Sequence, residues 1–249
     1  MEFNKKREDN KRKNWEKGIS LMESLLSLSL FFLLFFSSLQ FFGLARNSFF
    51  KLKGTVTARE GAFLALEKMK IDLLQGGLGL LRPLELGLFK GIEENSKTLI
   101  ILSKEKYFHL LDNIVPGQTQ IHLADTKGMK KTREICIFDS KKGEIRCISS
   151  LKGKSITLDS PLNCSFFKEE SCIILLKRVT LFFDGKKQII RRKVNNSPSQ
   201  PLLEEVISFD FSYSEVSKLL NLRLCFKPEK ERTYEISVFP KNVALAFVH

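Results

Sequence analysis

The chain has 249 residues, 43% of them hydrophobic, and a formal net charge of +13. That is enough apolar material for the core of one or two domains, which excludes an intrinsically disordered polypeptide. Five cysteines with no CxxC pair and no zinc-ligand spacing exclude a structural zinc module, and the basic excess fits a lysine-rich solvated surface as readily as an anionic partner.

In chain order, the first eighteen residues, MEFNKKREDNKRKNWEKG, carry seven Lys or Arg against four acids. Residues 19–45 follow, twenty-seven residues whose only charge is Glu23, and Phe is dense between positions 31 and 50. As a helix rising ~1.5 Å per residue this run reaches ~40 Å, longer than a ~30 Å hydrocarbon core. Tilt, or continuation of one end into water, absorbs the excess. A single transmembrane helix is therefore expected, with its basic N-terminal flank in the cytoplasm and the rest of the chain exported. Arg46, Lys51, Lys53 and Arg59 dilute this asymmetry without reversing it. A cleaved secretory signal fits poorly, because its apolar region is only ~7–15 residues long and ends in a small-x-small exit. Here no such exit precedes Gly43 and Ala45.

Lys17, Gly18, Ile19, Ser20, Leu21, Met22 and Glu23, followed by a long apolar run, resemble the prepilin-type processing motif of type IV pilins and type II secretion pseudopilins. The resemblance implies a basic leader cut after Gly18 by a membrane prepilin peptidase, which also N-methylates the new terminus, Ile19. Phe is the usual residue at that terminus, so Ile19 is a departure. Glu23 then takes the place of the family's fifth-residue Glu, whose implied role is to pair with the N-terminal ammonium of a neighbouring subunit. The implied partners are other pilin or pseudopilin subunits, the prepilin peptidase/N-methyltransferase and the inner membrane.

The physics of Glu23 suits that arrangement. A carboxylate at the centre of a bilayer costs ~2.5–3.5 kcal/mol on insertion scales, so it persists only near the interface or beside a counter-charge. Four residues beyond Ile19, Glu23 lies within a helical turn of the interface, and opposite charges attract more strongly in low dielectric than in water. Ser20, Ser24, Ser27, Ser29, Ser37 and Ser38 punctuate the run and either permit close helix approach or bond back along their own helix.

From Gly54 the pattern becomes that of an amphipathic helix. Val56, Phe63, Leu66, Met69 and Leu73 are expected to form its apolar face, and Gly76 and Gly77 its stop. From Thr98 short β-rich runs dominate: TLIIL, QIHLAD, EICIFD, EIRCIS and SITLD, then CIILLKRVTLFF joined to KKQIIRRKV through Asp184-Gly185, a pair suited to a type I′ turn. In VISFDFSY, LNLRLCF and TYEISVF, apolar and polar residues alternate, as in three strands of an antiparallel sheet able to cover the helix. This order is similar to that of J-class pseudopilins and PilW-type minor pilins. The fold class expected is α+β, pilin-like: a leader over 1–18, a transmembrane helix over 19–45, its amphipathic continuation over 46–77, and an exported β-rich domain over 78–249 with a small β insertion around 115–165.

Catalytic constellations do not emerge. There is no GxSxG elbow, HExxH or P-loop, GGLGLL lacks the dinucleotide-binding spacing, and His109, His122 and His249 are scattered. Asp125 and Asp139 sit in lysine-rich turns without repeated oxygen ligands, so neither a metal nor another cofactor is expected. KKTR and KKQIIRRK are basic, but alternation splits their charges between two faces of a strand, so nucleic acid is not an expected partner. Export permits two disulfides, and short separations favour Cys136 with Cys147 and Cys164 with Cys172, leaving the connectivity open; buried free thiols are the equal alternative. The reading is a structural subunit, not an enzyme; the alternative is a periplasmic binding or sensor domain on an uncleaved anchor.

Overall fold

The computed structural model describes residues 2–95, 97–214, 216–227 and 233–246, with side chains from residue 21 onward. His249 lies outside the described residues. The chain divides into two compact units, Met1–Thr57 and Ala58–His249. Helix α1 (Glu2–Leu74) supplies the first and enters the second.

In the first unit the described side chains are exposed apart from Gly43 and Thr55, which are half-buried. Phe31 stacks on Phe35 and Phe32 on Phe36, with ring centroids 6.0 and 6.2 Å apart, as the i,i+4 spacing allows. The hydroxyls of Ser29 and Ser38 donate to the carbonyls of Leu26 and Leu34, each at 2.8 Å. These serines thus satisfy their own hydrogen-bonding need within the helix, which makes them tolerable in an apolar surrounding.

In the second unit α1 buries Ala62, Ala65, Leu66, Met69 and Leu73, a run at helical spacing. Val56 and Phe63, expected on that face, are 45% and 62% exposed instead. The helix presents its alanines inward, so the neighbouring strands approach its backbone closely. It ends at Leu74, where Gly76 N–H bonds back to Leu73 and Gly77, at φ +72°, donates to Leu102. The positive φ is what glycine supplies at this stop.

Twelve strands and two short helices, α2 (Leu81–Glu85) and α3 (Lys241–Leu245), complete the described fold. A nine-stranded antiparallel sheet runs β1 (Ile92–Asn95), β2 (Thr98–Phe108), β7 (Cys172–Asp184), β4 (Glu134–Phe138), β5 (Gly143–Lys152), β6 (Ser155–Leu158), β3 (Gln120–His122). Beside the second half of β7 lies β8 (Ile189–Val194), followed by β9 (Gln200–Leu203). A separate sheet holds β10 (Val206–Ser214), β11 (Leu219–Phe226) and β12 (Tyr234–Val238) in that order.

The helix face is enclosed between Leu99, Ile101, Val179, Leu181 and Ile190 of the large sheet and Phe209, Leu220, Leu222, Leu224, Phe226 and Val238 of the small one. Each such side chain contributes about 1.5–3 kcal/mol on burial. The expected alternation holds in the small sheet: Phe209, Phe211 and Tyr213 turn toward this core. A second cluster gathers Phe108, Ile121, Leu123, Ile135, Ile137, Ile156 and Phe166, and a third, on the other face of β7, holds Leu80, Leu84, Cys136, Ile174 and Leu176. Covered on both faces, β7 reads CIILL without alternation.

Residues around 115–165, expected as a small β insertion, hold β3–β6 and join the large sheet where Ile135–Phe138 pair with Cys172–Leu175. The expected β7–β8 hairpin forms, but its connection differs. Asp184 pairs with Ile189, leaving a four-residue loop over 185–188 whose positive φ falls on Gln188 (+56°), not on Gly185. The Asp184 carboxylate accepts the Lys187 N–H at 3.3 Å, which folds the chain into this longer loop.

Candidate assembly segment and the sites of the sheet unit

Gly18 and Ile19 lie in the helical backbone of α1. Glu23, one turn beyond Ile19, is exposed, and no further acidic residue occurs until Glu60. From Leu21 to Leu52 the large apolar side chains are uncovered, with Met22, Phe41 and Leu44 at 75%, 73% and 68% exposure. Among the described residues one helix is long and apolar enough to cross a membrane, and it lies near the N-terminus. An uncovered apolar cylinder of that length is stable only where lipid or other helices replace water around it.

In the second unit the end of α1 is fixed by a buried ion pair. Asp72, 2% exposed, accepts two hydrogen bonds from Arg192, at 2.6 Å from Nε and 2.9 Å from Nη2. The bond to Asp72 raises the Arg192 pKa further above its ordinary value, against the opposing effect of burial. Arg191, next along β8, reaches Asp184 at 3.4 Å. Adjacent arginines therefore split between the two faces of the sheet, as alternation requires.

A second polar clasp closes the β5–β7 region. Buried Glu144 accepts the Asn163 N–H (2.9 Å) and the Cys164 N–H (2.6 Å), and Arg146 pairs with it. Arg146 also donates to the Pro161 carbonyl. Arg178 and Glu134 form a two-bond pair at 3.0 and 2.9 Å across β7 and β4.

Cys136, Cys147, Cys164 and Cys172 are unbonded thiols, and the register explains why the favoured pairings do not form. Cys136 sits opposite Ile145, and Cys147 opposite Glu134, so the two cysteines are diagonal neighbours. Diagonal positions lie about 7–8 Å apart, beyond the Cα separation that a disulfide spans without backbone movement. Cys164 packs against the second cluster, whereas Cys172 shares the strand parity of Ile174, on the opposite face of β7. Burial pushes the Cys136 thiol up to about 12.

His109 and His122 lie on exposed positions, and among the described residues no group of three His, Cys, Asp or Glu side chains is placed to hold a metal ion. Asp125 is held below its ordinary carboxylate value chiefly by the hydrogen bond from Lys106, at 2.7 Å. A cleft of about 470 Å³ opens between β1 and the end of β10, lined by Lys90, Ile92, Glu93, Glu94, Tyr213 and Lys218. There the Tyr213 N–H donates to Glu94 at 3.1 Å. Periodicity does not reveal the Asp72–Arg192 pair or the Glu144 clasp; one acid in an amphipathic run and one arginine in a strand become partners only through tertiary packing.

No protein-family model and no curated protein matches the chain. Among solved structures it is similar to the Gp54 tailspike of Acinetobacter baumannii bacteriophage AP22 in complex with A. baumannii capsular saccharide, with 16% identity, 31% of this chain and 15% of that chain covered, and a TM-score of 0.28. It is also similar to the tailspike gp49 of Pseudomonas phage LKA1 (15% identity, 28% and 14% covered, TM-score 0.26). The tailspike gp61 of Pseudomonas phage phi297 gives 13% identity, 29% and 14% covered, and a TM-score of 0.26. The chain thus spans about a seventh of the length of these tailspikes.

Proposed function

We propose that this protein is a minor pilin or pseudopilin-like structural subunit. It is anchored in the inner membrane by the first part of α1, carries its sheet unit outside the cytoplasm, and assembles through the helix into a type IV pilus or type II secretion pseudopilus. The observation that carries the reading is the run Gly18-Ile19 with Glu23 one helical turn on, at the head of an uncovered apolar helix. The order of elements, one long helix and then antiparallel sheets packed on its second half, supports it. In this reading Gly18 marks the cut, and Glu23 neutralises the ammonium of another subunit's new terminus where both leave water. Assembly rather than catalysis is the activity.

Coexpression with a prepilin peptidase tests it. Intact mass should show loss of the first eighteen residues and gain of one methyl group, and Glu23→Gln should abolish entry into filaments while cleavage proceeds. Persistence of the full-length chain refutes the reading. A second reading, a binding domain on an uncleaved anchor, draws on the cleft beside Glu94 and is favoured by that same persistence.

A further inference from the structure

Three strands end the large sheet, and they are not closed alike. Beside β3 the Leu111 N–H donates to the His122 carbonyl at 3.0 Å and the Ala124 N–H to that of His109 at 3.2 Å, so neighbouring chain covers the edge. Strand β9 carries Pro201, which has no N–H to offer a further strand. Strand β1 has neither device. The Leu102 N–H donates to the Gly91 carbonyl at 2.9 Å, and in an antiparallel ladder such bonded positions recur at every second residue. Gly91 and Glu93 therefore bond toward β2, whereas the N–H and C=O groups of Ile92 and Glu94 point away from it. Among the described residues no backbone group takes these up. The cleft of about 470 Å³ lies along this edge, since side chains of both faces of β1, Ile92 with Glu94 and Glu93 with Asn95, line it. The strand is held in place there: a Cβ on Gly91 would come 2.7 Å from Val243 Cγ2, so α3 presses on its start, and buried Val243 and Ile92 form an apolar floor. On the opposite bank the Tyr213 N–H, at the edge of β10, donates to the Glu94 carboxylate at 3.1 Å. A side-chain oxygen thus serves an edge amide that the carbonyl of a paired strand would otherwise serve.

We propose that this cleft receives an extended peptide segment of a partner protein as an added antiparallel strand beside β1, with an apolar side chain against Ile92 and Val243 and a basic one opposite Glu93. Main-chain bonds to Ile92 and Glu94 hold the segment, and the flanking side chains select it. The volume suits a few extended residues and falls within the ~300–1,000 Å³ of ligand clefts. A second copy of β1 is the wrong occupant: every antiparallel register that overlaps three residues or more sets Glu93 or Glu94 opposite another glutamate, and like charges directly opposite repel. A strand with a basic residue at that place turns the same repulsion into attraction. At a formal charge of +13 the chain as a whole draws acidic peptides, so a preference for a basic one is owed to the two carboxylates of β1.

Two blocked pentapeptides test the pairing on the full-length protein in detergent. In antiparallel register Thr-Lys-Lys-Val-Thr sets Val opposite Ile92 and a Lys opposite Glu93, and Thr-Lys-Glu-Val-Thr replaces that Lys with Glu. Fluorescence polarisation should show the first binding about fivefold more tightly, and Glu93→Lys should invert the order. Wild type alone supplies the backbone arm of the test. Methylating the Val amide of the first peptide, which faces β1, should weaken binding about tenfold, whereas methylating the amide of the Lys before it, which faces away, should change binding less than about threefold. With saturating peptide, hydrogen exchange read residue by residue should slow about tenfold at Ile92 and Glu94 and stay constant at Glu93. Absence of binding, a preference for the acidic peptide by wild type, equal effects of the two methylations, or slowed exchange at sites other than Ile92 and Glu94 overturns the proposal. Processing at Gly18 is read separately. A chain that is cut but leaves Ile92 and Glu94 exchanging as before keeps the assembly reading and loses this inference; an uncut chain that protects them loses the assembly reading and keeps this inference.

Discussion

Replacing Asp72 with Ala should destabilise the second unit more than any exposed substitution in α1. The wild-type carboxylate is 2% exposed and receives two bonds from Arg192, whose side chain is 14% exposed. Removing one partner leaves the guanidinium buried without its counter-charge, a loss of about 3–5 kcal/mol. Against a typical total of about 5–15 kcal/mol, that is a third or more of the stability. Removing both charges, Asp72→Leu with Arg192→Met, should return to within about 2 kcal/mol of wild type, because an apolar pair needs no counter-ion. The only tryptophan, Trp15, lies in the first unit, so the assay is the urea midpoint of the full chain followed by circular dichroism of the sheets, with the slope constant across variants. A loss under about 1 kcal/mol for Asp72→Ala, or a double variant as weak as the single, refutes the assignment of the pair as a fastener of the helix end.

Glu144→Ala should lower stability by about 3 kcal/mol, since the Asn163 and Cys164 amides lose their acceptor in a buried place; urea unfolding and proteolysis in the 159–165 loop report it. Gln188→Gly should raise stability by about 0.5–1 kcal/mol by relieving its positive φ, read as a higher melting temperature. Cys136 should resist maleimide at pH 8 in the folded chain while the half-exposed Cys164 reacts, as peptide mapping would show. With the folded Cys136 thiol at about 12, the unfolded chain loses this proton first. Stability is therefore complete below the ordinary thiol range and falls as pH rises from there toward 12, which alkaline urea titration measures.

The parts legible in the sequence were those governed by period. Strict alternation in β10, β11 and β12 places Phe209, Leu222 and Leu224 inward whatever they pack against, and the Gly76-Gly77 stop follows from backbone conformation alone. The helix face was less legible because size misleads: Phe63 weighs heavily in any apolar count, yet the strands come close only where Ala62 and Ala65 let them. The Asp184-Gly185 signal located the hairpin without fixing its loop, since the aspartate side chain caps Lys187 and moves the left-handed residue to Gln188. Separation along the chain was a poor guide to the cysteines, because register, not distance in sequence, decides which thiols face each other across β4 and β5. In the first unit, the place of Glu23 as the one charge of residues 19–45 is read directly from the sequence, and its exposure follows from the uncovered apolar run around it.

Strand β7 is hydrogen-bonded along one side to β2 and along the other first to β4 and then to β8. A one-residue slip of this single segment would turn Ile173, Leu175, Val179 and Leu181 out of their places together, emptying both greasy compartments on that side at once. The sheet unit should consequently melt in a single transition, and a pulling force applied through the helix would meet one mechanical element rather than two in series.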